Sequence, residues 1–329
     1  MITRTDVERV AGETGFRVEG VEKVLHLLGI LTRLNEHEAA EGRWLLKGGT
    51  ALNLLHLRVP RLSVDIDLNF TGEANVERLP DARRVFERAL VACCEREGCT
   101  VHRTPGEHAG GKFRLRFSSV FGGPQNLEVD VNYVARVPLL DPERRTVTID
   151  AFGMEVPFPT LALEELAAGK FAALMARTAA RDRFDAVSLL ELVPDLLRRP
   201  RFRIAFVCQA AGSRMDALLW PAELRVLEKS EVRTKLIGLL RVIPGDPPVN
   251  PETLAASLHE KLAAAVTELV QWTESERSFL ERLTHAGEIE PQLLTDDPVL
   301  QSRIEQQPML RWKRQHVRRH YRLDGKESE

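Results

Sequence analysis

No uninterrupted apolar run in this sequence approaches the roughly 18 residues that a membrane-spanning helix requires, and Met1-Ile2-Thr3-Arg4-Thr5-Asp6 lacks the basic-then-apolar pattern of a secretory signal. These absences make cytoplasmic residence the expectation, with no membrane partner. Neither sign of charge dominates. Charged residues make up 29% of the chain, yet the formal net charge is only -2, so any surface for nucleic acid must be a local patch. Cysteine is sparse: Cys93, Cys94, Cys99 and Cys208 fall in no zinc-ligand spacing, and nothing beside them would lower a thiol pKa, so they are expected to be small buried apolar residues. His26, His56 and His102 show no ligand spacing. Internal repeats and low-complexity segments are also missing.

What is present suits two substantial cores: 329 residues, 43% of them hydrophobic. Val21, Val24, Leu25, Leu28, Leu31 and Leu34 recur at helical spacing, so the first forty residues are expected to be helical and to pack on a sheet. A helix is predicted from Asp81 to Glu97, between Pro80 and Gly98. Extended runs follow at Cys99 to Arg103, Lys112 to Ser118 and Leu127 to Val134, with shorter ones at Thr146 to Asp150 and Glu155 to Phe158. From Thr160 onward the pattern is almost entirely helical. The expected division is therefore an α+β half with a mixed sheet and flanking helices, residues 1–158, and a mostly helical lobe, residues 159–329, that completes the active site. The breaker cluster Gly245 to Pro251 is expected to be a loop inside that lobe.

The chemistry concentrates in Lys47-Gly48-Gly49-Thr50, which follows apolar Trp44-Leu45-Leu46 and precedes helix-like Ala51-Leu52-Asn53-Leu54-Leu55, and in Arg61-Leu62-Ser63-Val64-Asp65-Ile66-Asp67-Leu68. Backbone amides of the glycines and Thr50 would face an anion at a helix N-terminus, expected to be a nucleotide phosphate, with Lys47, Arg61 and Ser63 as further candidate nucleotide contacts. On a strand, Asp65 and Asp67 share one face while Ile66 and Leu68 anchor the other, which makes a hard oxygen site suited to Mg2+. Alone, a Gly-Gly pair is as readily a plain turn, and Asp-x-Asp as readily a solvated strand edge. Their order within one supersecondary unit favours a nucleotide and metal site.

Glu128-Val129-Asp130-Val131-Asn132 repeats the alternation. If that strand neighbours Asp65, Asp130 supplies a third carboxylate and two metal ions can be held; the competing reading is a half-exposed edge strand. Lys170, Arg177 and Arg181 would lie within about 20 degrees of one line on a continuous helix, with Asp185 about 60 degrees away. Such a stripe would meet a triphosphate, with Asp182 or Asp185 orienting a cation or accepting a proton; it equally reads as a solvated helix face tied by Arg181 and Asp185. The run Arg311 to Arg322 is the one concentrated basic stretch. Trp312 and Tyr321 there could stack bases, or the run could be an amphipathic closing helix with Trp312 packed on the body.

Taken together, Lys47-Gly48-Gly49-Thr50-Ala51-Leu52, Arg61-x-Ser63-x-Asp65-Ile66-Asp67-Leu68, the Val129-Asp130 strand, and Lys170 with Arg177, Arg181-Asp182 and Asp185 resemble the AbiEii/AbiGii toxin family of the DNA polymerase beta-like nucleotidyltransferase superfamily. The resemblance covers roughly residues 44 to 188 and departs from the superfamily's Gly-Ser form and shorter spacer, with fourteen residues between Thr50 and Asp65. It implies metal binding by Asp65 and Asp67, nucleotide contacts by Gly48, Gly49 and Thr50, and catalytic or nucleotide-contacting roles for Lys170 and Asp185. It also implies an NTP co-substrate, a cognate antitoxin partner and transfer of an NMP to an RNA acceptor, the tRNA 3′ end first. A protein or small-molecule hydroxyl is the alternative acceptor, and a noncatalytic nucleotide-dependent interaction protein the alternative class.

Overall fold

The computed structural model describes residues 2–103 and 110–321. The chain forms two compact units, and the division is not a single cut. The first comprises residues 1–136, 142–161 and 233–251; the second comprises 137–141, 162–232 and 252–329.

In the first unit, helices α1 (Arg4–Thr14) and α2 (Val18–Glu36) precede β1 (Trp44–Leu46). The turn α3 (Gly48–Thr50) runs directly into a π-helical stretch, Ala51–His56. There follow β2 (Asp65–Phe70), α4 (Leu79–Arg96), β3 (Thr100–Arg103), β4 (Gly110–Ser118), β5 (Pro124–Asn132), β6 (Glu143–Arg145) and β7 (Phe158–Thr160). The seven strands form one mixed sheet in the order β3-β4-β5-β2-β1-β7-β6. Period-two alternation gives this sheet one apolar and one polar face. Ile66, Leu68, Val129, Val131, Phe113 and Phe117 are buried on the apolar side. There α2 and α4 cover it: His26 lies 4.2 Å from Phe117, and Phe86 lies 5.2 Å from Phe70, between ring centroids.

Three expectations are corrected here. Thr146 to Asp150 is not a strand, because the Thr148 N–H donates to Leu54 O, in the π-helical stretch, rather than to a ladder partner, while its hydroxyl donates to Leu57 O at 2.7 Å. The extended run near Glu155 forms its strand later, at Phe158–Thr160, parallel to β1. The Gly245 to Pro251 loop lies in the sheet-bearing unit: Leu62 N–H donates to Leu239 O at 2.9 Å, and Arg241 donates to the carbonyls of Arg58 and Val59 at 3.1 Å.

The second unit is helical: α5 (Leu163–Ala176), α6 (Ala180–Leu192), α7 (Pro200–Ala211), α8 (Lys229–Lys235, which crosses the unit limit at residue 233), α9 (Pro251–Leu269), α10 (Glu274–Glu281), α11 (Pro298–Gln306) and α12 (Pro308–His320). Its core runs through an aromatic column, Phe171 to Phe202 to Phe206 to Trp272, with neighbouring centroids 5.7–5.8 Å apart. All four cysteines are buried, and burial pushes the thiols of Cys94, Cys99 and Cys208 upward, as inert packing residues require.

Candidate active site

The glycine loop is bonded to the strand that carries the carboxylates. After β1, Lys47 is extended and Gly48 turns the chain through φ +66°, a left-handed conformation that glycine adopts without penalty. Lys47 N–H donates to Asp67 O at 2.9 Å, and the Thr50 hydroxyl bonds both Asp65 O and Ser63 Oγ. A Cβ on Gly48 would fall inside contact distance of Asp67 Oδ2, and one on Gly49 would meet Ser63 Oγ at 2.9 Å and the Arg61 guanidinium at 3.0 Å. Absence of side chains is therefore what lets this loop lie against β2. Asn53 donates to Gly49 O at 2.9 Å from the π-helical stretch, which with its connector accounts for the long spacer before Asp65. Arg61, Ser63 and Thr50 are buried, so their polar atoms brace the loop from behind.

Asp65 and Asp67 are half-buried on the polar face of β2, between buried Ile66 and Leu68. β5 runs parallel beside them, placing Glu128 next to Asp65 and Asp130 next to Asp67. Asp130 thus shares their face. Among the described residues, however, no three His, Cys, Asp or Glu side chains converge closely enough to enclose a metal. The donors themselves suit a hard divalent cation: two carboxylates on one face, with the Asp67 carboxylate packed directly against Gly48, where a Cβ would displace it.

In the second unit the expected continuous helix is broken. α5 ends at Ala176, Arg177 is extended, and α6 starts at Ala180, so Lys170, Arg177 and Arg181 do not form one stripe. Alanine-rich local sequence favours helix here; tertiary ion pairing overrides it. The break lets Lys170 Nζ reach Asp182 and Asp185, each at 2.9 Å, while Arg177 Nε donates to Asp182 at 2.7 Å. Both carboxylates are buried. Burial alone would raise the Asp182 pKa, but the charge of Lys170 and the Arg177 bond outweigh it and hold the carboxyl below its ordinary range. Arg181 is half-buried on the same helix.

A sequence model of the AbiEii nucleotidyl transferase toxin, a type IV toxin–antitoxin component, matches residues 29–285. The chain belongs to the AbiEii nucleotidyltransferase toxin family. It is accordingly a nucleotidyltransferase of the toxin type, and a type IV system implies an antitoxin partner. Among solved structures, this AbiEii-family chain is similar to MenT4, a nucleotidyltransferase toxin from Mycobacterium tuberculosis, at 20% identity and TM-score 0.55 over 94% of this chain and 99% of that one. It also matches JHP933 from Helicobacter pylori at 17% identity and TM-score 0.44, over 78% and 95% of the two chains. No curated protein matches. The MenT4 likeness establishes the α+β fold over nearly the whole length.

In this AbiEii-family protein the basic run forms α12, and Arg322 and the polar last residues lie outside the described part. Trp312 is 48% exposed and stacks on His316 at 5.3 Å, so it is not packed into the body. Among the described residues no helix is long and apolar enough to cross a membrane.

Two features escaped the sequence reading. Glu165 is buried at the start of α5 and accepts the N–H groups of Leu139 and Leu140. Burial pushes its carboxyl up to about 7, against those two bonds. The second feature, a row of cations on β4, was visible as the alternation Lys112-Phe113-Arg114-Leu115-Arg116-Phe117, but without the strand order nothing placed it near Asp65 and Asp67.

Proposed function

We propose that the protein transfers an NMP from an NTP to a terminal hydroxyl of RNA, with tRNA the first candidate, and that Asp65 and Asp67, joined by Asp130, hold Mg2+ for the reaction. The observation that carries this reading is the glycine loop bonded to β2, with the Asp67 carboxylate seated against the bare flank of Gly48. Lys47, Gly48 and Gly49 are assigned to the nucleotide phosphates; Thr50, Arg61 and Ser63, expected from the sequence to be nucleotide contacts as well, are buried and are assigned instead to holding the loop in shape. When bound, the cation supplies charge neutralisation at the α-phosphate and favours ionisation of the attacking hydroxyl. The acceptor hydroxyl gives up its proton to water as its oxygen forms a bond to the α-phosphorus, the bond from that phosphorus to the α–β bridging oxygen breaks, and the pair of electrons leaves with pyrophosphate. Loop amides oppose the charge that builds on the phosphate oxygens, an electrostatic contribution that needs no reorganisation because the loop is already hydrogen-bonded in place.

For the helical unit, Lys170 and Asp185 are assigned catalytic roles and Arg177, Arg181 and Asp182 nucleotide contacts. The ion pairs that join Lys170 to Asp182 and Asp185, and exposed Arg177 to Asp182, support a common task for these four. RNA as acceptor is supported by α12, where exposed Trp312 lies among Arg311, Arg314 and Arg319.

The test is incubation of wild type and Asp67→Asn with Mg2+, total tRNA and each α-labelled NTP in turn. Label should move to RNA with the wild type alone. Equal transfer by D67N would remove the metal assignment, and no transfer with any NTP would redirect the search to protein or small-molecule hydroxyls.

A further inference from the structure

The polar face that carries Asp65 and Asp67 does not end at β5. In the antiparallel pair of β4 with β5, Lys112 stands opposite Asp130, Arg114 opposite Glu128 and Arg116 opposite Asn126, and in the next pair His102 stands opposite Arg114. Directly opposed residues share a face, so three cations one pleat apart extend the carboxylate face outward. Phe113, Leu115 and Phe117 between them are buried on the helix-covered side, whereas Lys112, Arg114, Arg116 and His102 are exposed. A groove of about 500 Å3 runs along this surface, lined by His102, Arg114, Arg116, Asn126 and Glu128 among others.

Glu128 partly engages the row, at 2.8 Å from Lys112 and 3.4 Å from Arg114, but the Arg114 side chain remains 65% exposed. Ion pairs this open contribute little to stability and exchange readily for a phosphate partner. Beyond Glu128 the row continues to Arg116, opposite the neutral Asn126, and His102 flanks Arg114 from β3. Strand spacing sets the scale. β4 lies two strands from β2, about 10 Å from Asp67, and its cations step away at about 7 Å per pair of residues, a run of about 14 Å from Lys112 to Arg116.

We propose that Lys112, Arg114 and Arg116 on β4 form the docking track for the phosphodiester backbone of the acceptor's last nucleotides, with the terminal hydroxyl delivered at Asp130. This rests on the RNA-acceptor reading and names the surface that reading requires. Charge complementarity selects the occupant: regularly spaced cations on one strand match regularly spaced phosphates, and among the described residues of β3, β4 and β5 no large apolar side chain is exposed for a protein partner to bury.

The experiment compares wild type, Arg114→Gln/Arg116→Gln, and an equal charge loss on the opposite side of the sheet, Arg84→Gln/Arg88→Gln on α4. Binding of labelled single-stranded RNA and of bulk tRNA is measured across a salt series without NTP, and label transfer is measured separately. R114Q/R116Q should flatten the plot of log affinity against log salt by about 1.4, two single-strand phosphate contacts. It should also raise KM for RNA about tenfold or more while leaving KM for NTP and the melting temperature unchanged. R84Q/R88Q should behave as wild type. An unchanged salt slope in R114Q/R116Q, or an equal loss in R84Q/R88Q, overturns the track. If the wild type binds RNA through these arginines but transfers nothing to it, the acceptor assignment fails while the binding surface stands; no RNA binding by the wild type removes both.

Discussion

At the scale of single residues, the site turns on atoms that are missing as much as on those present. Gly48 combines a left-handed backbone with a flank pressed on Asp67, so Gly48→Ala meets two penalties: about 1–2 kcal/mol for the conformation and a displaced carboxylate. G48A should lose nucleotidyl transfer at least a hundredfold and melt a few degrees lower; wild-type transfer by a folded G48A would show that the loop does not serve the reaction. Thr50 illustrates a different division of labour. Its hydroxyl is bonded to Asp65 O and Ser63 Oγ, so it shapes the loop from inside. Sequence spacing identified the residue, but a hydroxyl's partner depends on what the chain places across from it.

At the scale of elements, the interruption between α5 and α6 decides the chemistry of the second unit. Lys170 neutralises two carboxylates that are almost wholly shielded, Asp182 at 3% and Asp185 at 0% side-chain exposure. Removing the cation leaves uncompensated buried charge, so Lys170→Met should destabilise the protein by about 3–5 kcal/mol in urea unfolding. Adding Asp185→Asn should recover part of that loss, whereas catalytic activity should stay low; no recovery would mean that the pair is not coupled. Helix α12 makes the opposite case. Trp312 projects outward, so Trp312→Ala should change stability by no more than about 0.5 kcal/mol while weakening RNA binding. A large stability loss instead would return that side chain to a packing role.

At the scale of the whole molecule, two buried titratable groups set opposing responses to pH. Glu165 is raised by burial from 4.5 to about 7, so the folded state keeps a proton that the unfolded chain has released, and stability falls as pH rises through that window, by roughly 3 kcal/mol in all. His56 is lowered from 6.5 to about 4, by burial first and the Arg145 charge second, so its effect is the reverse: stability rises between those values as the unfolded chain gives up its proton. Glu165→Gln should remove the fall and leave the rise. Urea titrations at pH 4.5, 5.5, 6.5 and 7.5 would read this, and an unchanged slope in E165Q would show that the carboxyl ionises normally.

How much of this was legible beforehand follows the range of the interactions concerned. Apolar periodicity located α2, the Pro80 and Gly98 flanks located α4, extended runs located β4 and β5, and the order of glycine loop and Asp-x-Asp strand pointed to the family, because backbone geometry and facing are properties of adjacent residues. Tertiary structure alone decided which strands became neighbours, and therefore that Asp130 and the β4 cations share the face of Asp65 and Asp67. It also broke a helix that local propensity would have continued, returned residues 233–251 to the sheet-bearing unit, and buried Glu165 where its proton is retained. Pairing, charge neutralisation and desolvation depend on groups far apart in the chain. No reading of local pattern contains them.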